Sequence, residues 1–125
     1  MDVNESVLNT IKKCLDIDPD NKDFDTDILL HINSVLTIMK RLGIIPKTSR
    51  RISDDSVTWS QFIPDDSLNV EDIKDYIFLR VKLIFDPPQN QKHTDVLIDT
   101  YKEIEFGLMT QNEIKDGGEE DGDRS

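Results

Sequence analysis

VEDIKDYIFLRVKLIFDPP, residues 70–88, is the most apolar window of a 125-residue chain that is otherwise poor in apolar residues. Val70, Ile73, Ile77, Val81 and Ile84 recur at steps of three and four, which places them on one face of a helix. Tyr76, Leu79 and Leu83 form a second apolar stripe on roughly the opposite side. A surface helix of a monomer needs only one such stripe. Two stripes predict cover on both sides, inside a bundle or between copies. Ser67 or Asn69 caps the start of this helix, and Glu71 and Asp72 suit the positive end of its dipole. Asp86-Pro87-Pro88 ends it, because proline lacks an N–H and disfavours helical geometry in the residue before it. Arg80 and Lys82 lie near or between the stripes, where their stems can cover apolar surface while their heads stay wet or meet an acid on a partner.

On the C-terminal side, residues 89–92 are a polar turn. Thr94 caps a last helix running to about Gln111, with Leu97, Tyr101, Ile104 and Leu108 as its stripe. The double proline predicts an antiparallel hairpin of these two helices. Gly107 inside the last one costs about 1 kcal/mol relative to alanine, so that end frays or packs closely on another backbone. Residues 113–125 hold six acidic and two basic side chains, a net of −4 that leaves −7 for the rest. Such a composition buries too little to order itself and reads as a disordered tail.

On the N-terminal side, residues 44–67 carry Pro46, Pro64 and several Ser and Asp without a sustained period. Loops this long in compact domains are uncommon. Lys47, Arg50 and Arg51 form the one basic cluster, either an ordinary solvated loop tip or a contact to an acidic surface or to passing DNA. Trp59, with Phe62, is expected to pin the loop to the bundle through a short strand or single turn, or to meet a neighbouring subunit. Before the loop, residues 24–42 form a helix with Ile28, Ile32, Val35, Met39 and Leu42 on its core face. Lys40 and Arg41 occupy its last turn and Gly43 the left-handed position after it. Residues 5–17 make a short first helix on Val7, Leu8, Ile11 and Leu15, capped by Asn4 or Ser6. It is too short to stand alone.

Between the first two helices, DIDPDNKDFDTD, residues 16–27, places Asp16, Asp18, Asp20 and Asp27 near the ligand positions of a calcium loop. Asn21 stands where glycine makes the turn, Asp23 where an apolar residue is usual, and Asp27 reaches less far than a bidentate Glu. The plainer reading is a solvated acidic turn in which Asp23 or Asp25 caps the next helix, and no metal is assigned. His31 and His93 lie in different segments. No phosphate loop, CxxC, HExxH or GxSxG occurs, and nothing assembles a nucleophile with its base. No catalytic residue and no cofactor are assigned, and the chain is not read as an enzyme.

The expectation is therefore an all-α bundle of four helices, about 5–17, 24–42, 69–86 and 94–111. It makes one domain over residues 1–112, followed by the tail. The charged fraction is 33%, the hydrophobic fraction 36% and the net charge −11. That balance argues against nucleic acid as an electrostatic partner and against an anionic membrane surface. No run approaches the roughly 18 apolar residues of a spanning helix, and the N-terminus lacks a signal-peptide core. The single cysteine, Cys14, excludes an intramolecular disulfide and fits synthesis in the cytoplasm.

Taken together, Lys74-x-Tyr76-Ile77-Phe78-Leu79-Arg80-Val81-Lys82-Leu83-Ile84-Phe85-Asp86-Pro87-Pro88 resembles the signature of head–tail connector proteins of tailed phages and prophages of Gram-positive bacteria. Phe24-Asp25-x-Asp27-Ile28-Leu29, His31-Ile32-Asn33-Ser34, Leu42-Gly43, Thr58-Trp59-Ser60-x-Phe62 and Glu103-Ile104-Glu105-Phe106 are similar to that family too, so the likeness spans about residues 5–112. Phe106-Gly107 departs from the Trp-Arg type of pair that members often carry there. The resemblance implies a structural virion protein at the head–tail junction that forms a ring, commonly twelve-fold. Its implied partners are the portal protein, a tail-side connector or stopper protein, and DNA that passes without specific binding. Candidate interface residues are Tyr76, Leu79, Arg80, Lys82, Leu83, Trp59 and Phe62, with Lys47, Arg50 and Arg51 as a loop contact. A helical adaptor for a host protein and, further off, a calcium-binding regulatory module are the alternatives.

Overall fold

The computed structural model describes residues 2–63 and 69–124, with side chains through residue 111. Five helices follow in order: α1 (Val7–Cys14), α2 (Asp25–Arg41), α3 (Trp59–Phe62), α4 (Val70–Phe85) and α5 (Gln91–Arg124). Among the described residues there is no strand, only an isolated bridge between Ser6 and Thr58. The all-α reading holds, with a single-turn helix added inside the long loop. The acidic tail expected over 113–125 and a Ser67 cap fall outside the residues whose side chains are described.

α1 is shorter than expected at both ends. Ser6 caps it, its hydroxyl accepting from the Asn9 amide at 3.2 Å. It stops because Asp16 adopts a left-handed conformation, φ 62°. The Asp16 amide then donates to Lys13 O at 3.0 Å and the Ile17 amide to Lys12 O at 2.8 Å, a Schellman closure. The same closure ends α2. Gly43 has φ 76°, its amide reaches Lys40 O at 3.1 Å, and the Ile44 amide reaches Met39 O at 2.9 Å. At the other end of α2 neither expected aspartate caps. Phe24 holds the N-cap position without a side-chain bond, while Asp25 and Asp27 fill the first turn.

The described part of the long loop, residues 44–63, sends its apolar side chains inward and leaves most of its polar ones exposed. Ile44, Ile45, Ile52, Val57, Trp59, Phe62 and Ile63 all join the buried core. Two buried side-chain anchors help to hold it, besides backbone bonds such as that of the Val7 amide to Val57 O at 2.9 Å. Asn33 on α2 clasps Ile52 in both directions, its Nδ2 donating to Ile52 O at 2.8 Å and its Oδ1 accepting from the Ile52 amide at 2.9 Å. Trp59, fully buried, donates its indole N–H to Thr10 Oγ1 on α1 at 2.9 Å. α3 itself is set by a capping box between Thr58 and Gln61.

α4 lies between α2 and α5 and packs on both. Asn69 caps it, accepting from the Asp72 amide at 3.2 Å. Ile73, Tyr76, Ile77, Leu79 and Val81 are buried. At about 100° per residue these positions span an arc of about 200°, so the two stripes merge into one broad covered face. Ile84 departs from its expected core position and is 56% exposed, because the covered face ends at Val81 and the chain turns away at Asp86. After Pro87-Pro88, α5 opens at Asn90 rather than Thr94. Asn90 Oδ1 accepts from the Lys92 amide at 2.8 Å and its carbonyl from the Thr94 amide at 3.1 Å. Tyr101, Ile104 and Met109 pack against the core, and Leu108 is buried within it. Gly107 makes no close approach within the chain, since an added Cβ there would meet nothing within 4 Å.

Candidate functional site

Three surfaces carry the chemistry of this molecule. The first is the seam between α4 and α5. Its apolar spacing buries the Tyr76 side chain, and one turn later the same face brings Arg80 over two rings. The Arg80 guanidinium carbon lies 5.3 Å from the Tyr76 ring centre and 4.4 Å from that of Tyr101. The rings meet edge to face at 6.0 Å. Glu105 completes the group, accepting from the Tyr76 hydroxyl at 2.5 Å and pairing with Arg80 Nη2 at 3.3 Å. Burial pushes the Tyr76 phenol far above its usual value, and the bond to the Glu105 carboxylate adds to that, while Arg80 pulls the other way. The phenol is thus a fixed donor and not a base or nucleophile. The guanidinium, lying over both rings, gains cation–π attraction of order 1 kcal/mol at each. This seam ties the hairpin together.

Of the other residues singled out on α4, Leu79 is buried and Leu83 half-buried. Lys82 turns outward and reaches Asp86 Oδ2 at 3.4 Å. Trp59 and Phe62 meet at a tilt, ring centres 6.3 Å apart, within the core, where their area is used inside this chain. Lys47, Arg50 and Arg51 are all exposed. The structure therefore gathers Tyr76 and Arg80 but leaves Lys82, the Trp59–Phe62 pair and the basic loop as separate features. Sequence alone marks Tyr101 only as an apolar-stripe position and Glu105 only within the family likeness; their i, i+4 spacing on α5 is the signal for the pair.

The second surface is the acidic turn after α1. Its centre is filled by Lys12, a fully buried side chain. The ammonium donates to Pro19 O at 3.0 Å and Asn21 O at 2.6 Å and pairs with Asp25 Oδ1 at 2.7 Å. Asp18 and Asn21 spend their side chains on the turn, accepting from the Asp20 and Asp23 amides at 2.9 and 3.0 Å. Asp16 closes the helix. An ammonium thus stands where the spacing suggested calcium. Among the described residues no cluster of three or more His, Cys, Asp or Glu could hold a metal. Lys12 falls on the apolar stripe between Leu8 and Leu15, a position that marks a buried cation in need of acceptors. Cys14, at the end of the same helix, is half-buried, and burial raises its thiol above the usual value.

The third surface is outward-facing. On α5, Phe106 is 72% exposed and, with Asp99, Lys102 and Glu103, lines an open depression. On α2, Leu30 is 57% exposed beside a groove of ≈ 420 Å³ that also includes Leu29, Arg51 and Ile52. At one end of the bundle Phe24 meets Phe85 edge to face at 5.6 Å, next to exposed Ile84. No helix among the described residues is long and apolar enough to cross a membrane.

Neither a curated protein nor a solved structure matches the chain. A family model described as phage connector protein matches residues 7–115, which takes in α1 through α4, the core loop and the described face of α5. The chain belongs to the phage connector protein family.

Proposed function

We propose that this protein forms a ring at the junction between portal and tail, where it extends the DNA channel and docks tail components. Family membership over residues 7–115 is the observation that carries this reading, since it points to a structural virion protein at the head–tail junction. Two physical features support it. The net charge of −11 disfavours adhesion of DNA that must pass, because like charges repel. Large apolar side chains stay exposed on α2, at the end of α4 and on α5, on sides of the bundle that its own helices do not cover. A ring uses different patches on the two sides of each subunit. The buried Lys12 in the acidic turn gives the calcium-module alternative no support.

The test is a phage or prophage strain lacking this protein. The proposal expects filled heads without tails, or heads that lose DNA, and co-purification of the portal protein with tagged chain. Intact infectious particles from the deletion strain refute it. So does a pull-down that yields only a host protein.

A further inference from the structure

We propose that Phe106 and the acids beside it on α5 of one copy dock into the groove at Leu29, Leu30 and Ile52 of another copy. Arg51 would stand at the rim of that contact. The inference supplies an interface for the ring proposed above and rests on that reading.

Phe106 is the most exposed large apolar side chain of the described chain. It cannot be satisfied by its own bundle. Tyr101 and Leu108, which face the core, lie on the opposite side of α5 at about 100° per residue. The groove is on α2, and α4 lies between α2 and α5. Knob and groove are therefore different patches on different helices, with α4 packed against both helices. That arrangement is head-to-tail, and it closes into a ring or runs on as a filament.

The groove is built rather than incidental. Asn33 bonds both backbone polar groups of Ile52 and donates to Leu29 O at 2.9 Å, so the loop wall at Ile52 is pinned to α2 without a ligand. Charge is complementary across the contact. Lys47, Arg50 and Arg51 are exposed, and among the described residues none is held in an ion pair. The loop's own acids are engaged elsewhere, Asp55 with Lys22 at 3.3 Å and Asp54 with the Ser56 amide at 2.8 Å. On the other side, Glu103 lies one turn and Asp99 two turns before Phe106, with Lys102 the one base among them. Opposite charges around an apolar knob set its register.

The test uses the full chain with Cys14→Ser and a single new cysteine at the rim of each half, Ser53→Cys in one preparation and Glu103→Cys in another. Both changes keep Phe106, Leu29, Leu30, Ile52 and Arg51; Ser53 borders the groove, and Glu103→Cys gives up one acid while Asp99 remains. Mixed under mild oxidation, the two should form the Ser53–Glu103 cross-pair in excess over both like pairs. Phe106→Ala should weaken the association by about 30-fold, the loss typical of a buried aromatic anchor. Arg51→Glu should weaken it about threefold, and Glu103→Arg in the partner copy should restore it. Equal formation of like and cross pairs overturns the proposal, as does a Glu103→Cys chain that links only to another virion protein. The same variants are scored for tailed particles. Tailed particles without the cross-pair defeat this interface alone, whereas normal particles in the deletion strain defeat the junction reading itself.

Discussion

Replacing Lys12 by methionine removes one charge and almost no volume, and it should be among the most damaging single changes in the N-terminal half. Methionine keeps the unbranched stem that packs between Leu8 and Leu15. What goes is the ammonium and its contacts to Pro19 O, Asn21 O and Asp25 Oδ1 at 3.0, 2.6 and 2.7 Å. Charge-assisted bonds contribute about 1.5–3 kcal/mol each. Part of that returns, because Asn21 is exposed and the Asp25 side chain is 21% exposed, so the Asp25 carboxylate, whose Oδ1 is buried, can turn toward water after a small shift. The net loss should sit at the low end of what breaking a buried pair costs, about 3 kcal/mol. For a domain of this size that lowers Tm by roughly 10 °C. Urea unfolding followed by far-UV circular dichroism measures it. A cycle with Asp25→Asn isolates the pair: the double variant should be little worse than Lys12→Met alone. Calcium at the millimolar level that fills weak sites should leave the wild-type midpoint unmoved. A loss below about 1 kcal/mol for Lys12→Met, or full additivity in the cycle, would refute the view that this ammonium holds the acidic turn in place.

Thr10→Val should cost about 1–3 kcal/mol, because it strands the buried indole N–H of Trp59, and near-silence in a denaturation curve would argue against that bond. Gly107→Ala should stabilise the free chain by about 1 kcal/mol, since the added methyl meets nothing and glycine is a poor helix residue. A lowered thermal midpoint would show a close approach at this position. The raised value of the Tyr76 phenol has a sign that can be checked. The folded state keeps its proton where the unfolded chain, near its ordinary value of 10.0, has lost it, so stability is full below that pH and falls above it. Tyr76→Phe should flatten this alkaline decline in a pH series of unfolding curves, and an unchanged slope would count against the seam as described.

Much of the fold is legible from local rules. The 3.6-residue period of 70–85 and 24–42, the stop at Asp86-Pro87-Pro88, the left-handed Gly43 and the caps at Ser6 and Asn69 depend on neighbours within a turn or two. Backbone hydrogen bonding and side-chain direction act over that range. The same patterns placed most of the core, because an apolar stripe must be covered by something. They placed Ile84 wrongly, since where a covered face ends depends on how far the neighbouring helices extend.

An acidic helical bundle organised on residues 70–88, and its likeness to connector proteins, can be read from the order of residues. This is so because helical period, proline stops and charge balance are properties of the chain alone. What fills the space between elements emerges when the helices pack. Lys12, a cation on an apolar stripe, could find acceptors only when the turn at 19–25 folded over it, so spacing that suited calcium serves an ammonium instead. Trp59 reaches Thr10 across 49 residues, and Arg80 reaches Glu105 across 25. Such pairings form by long-range closure, which no local pattern records.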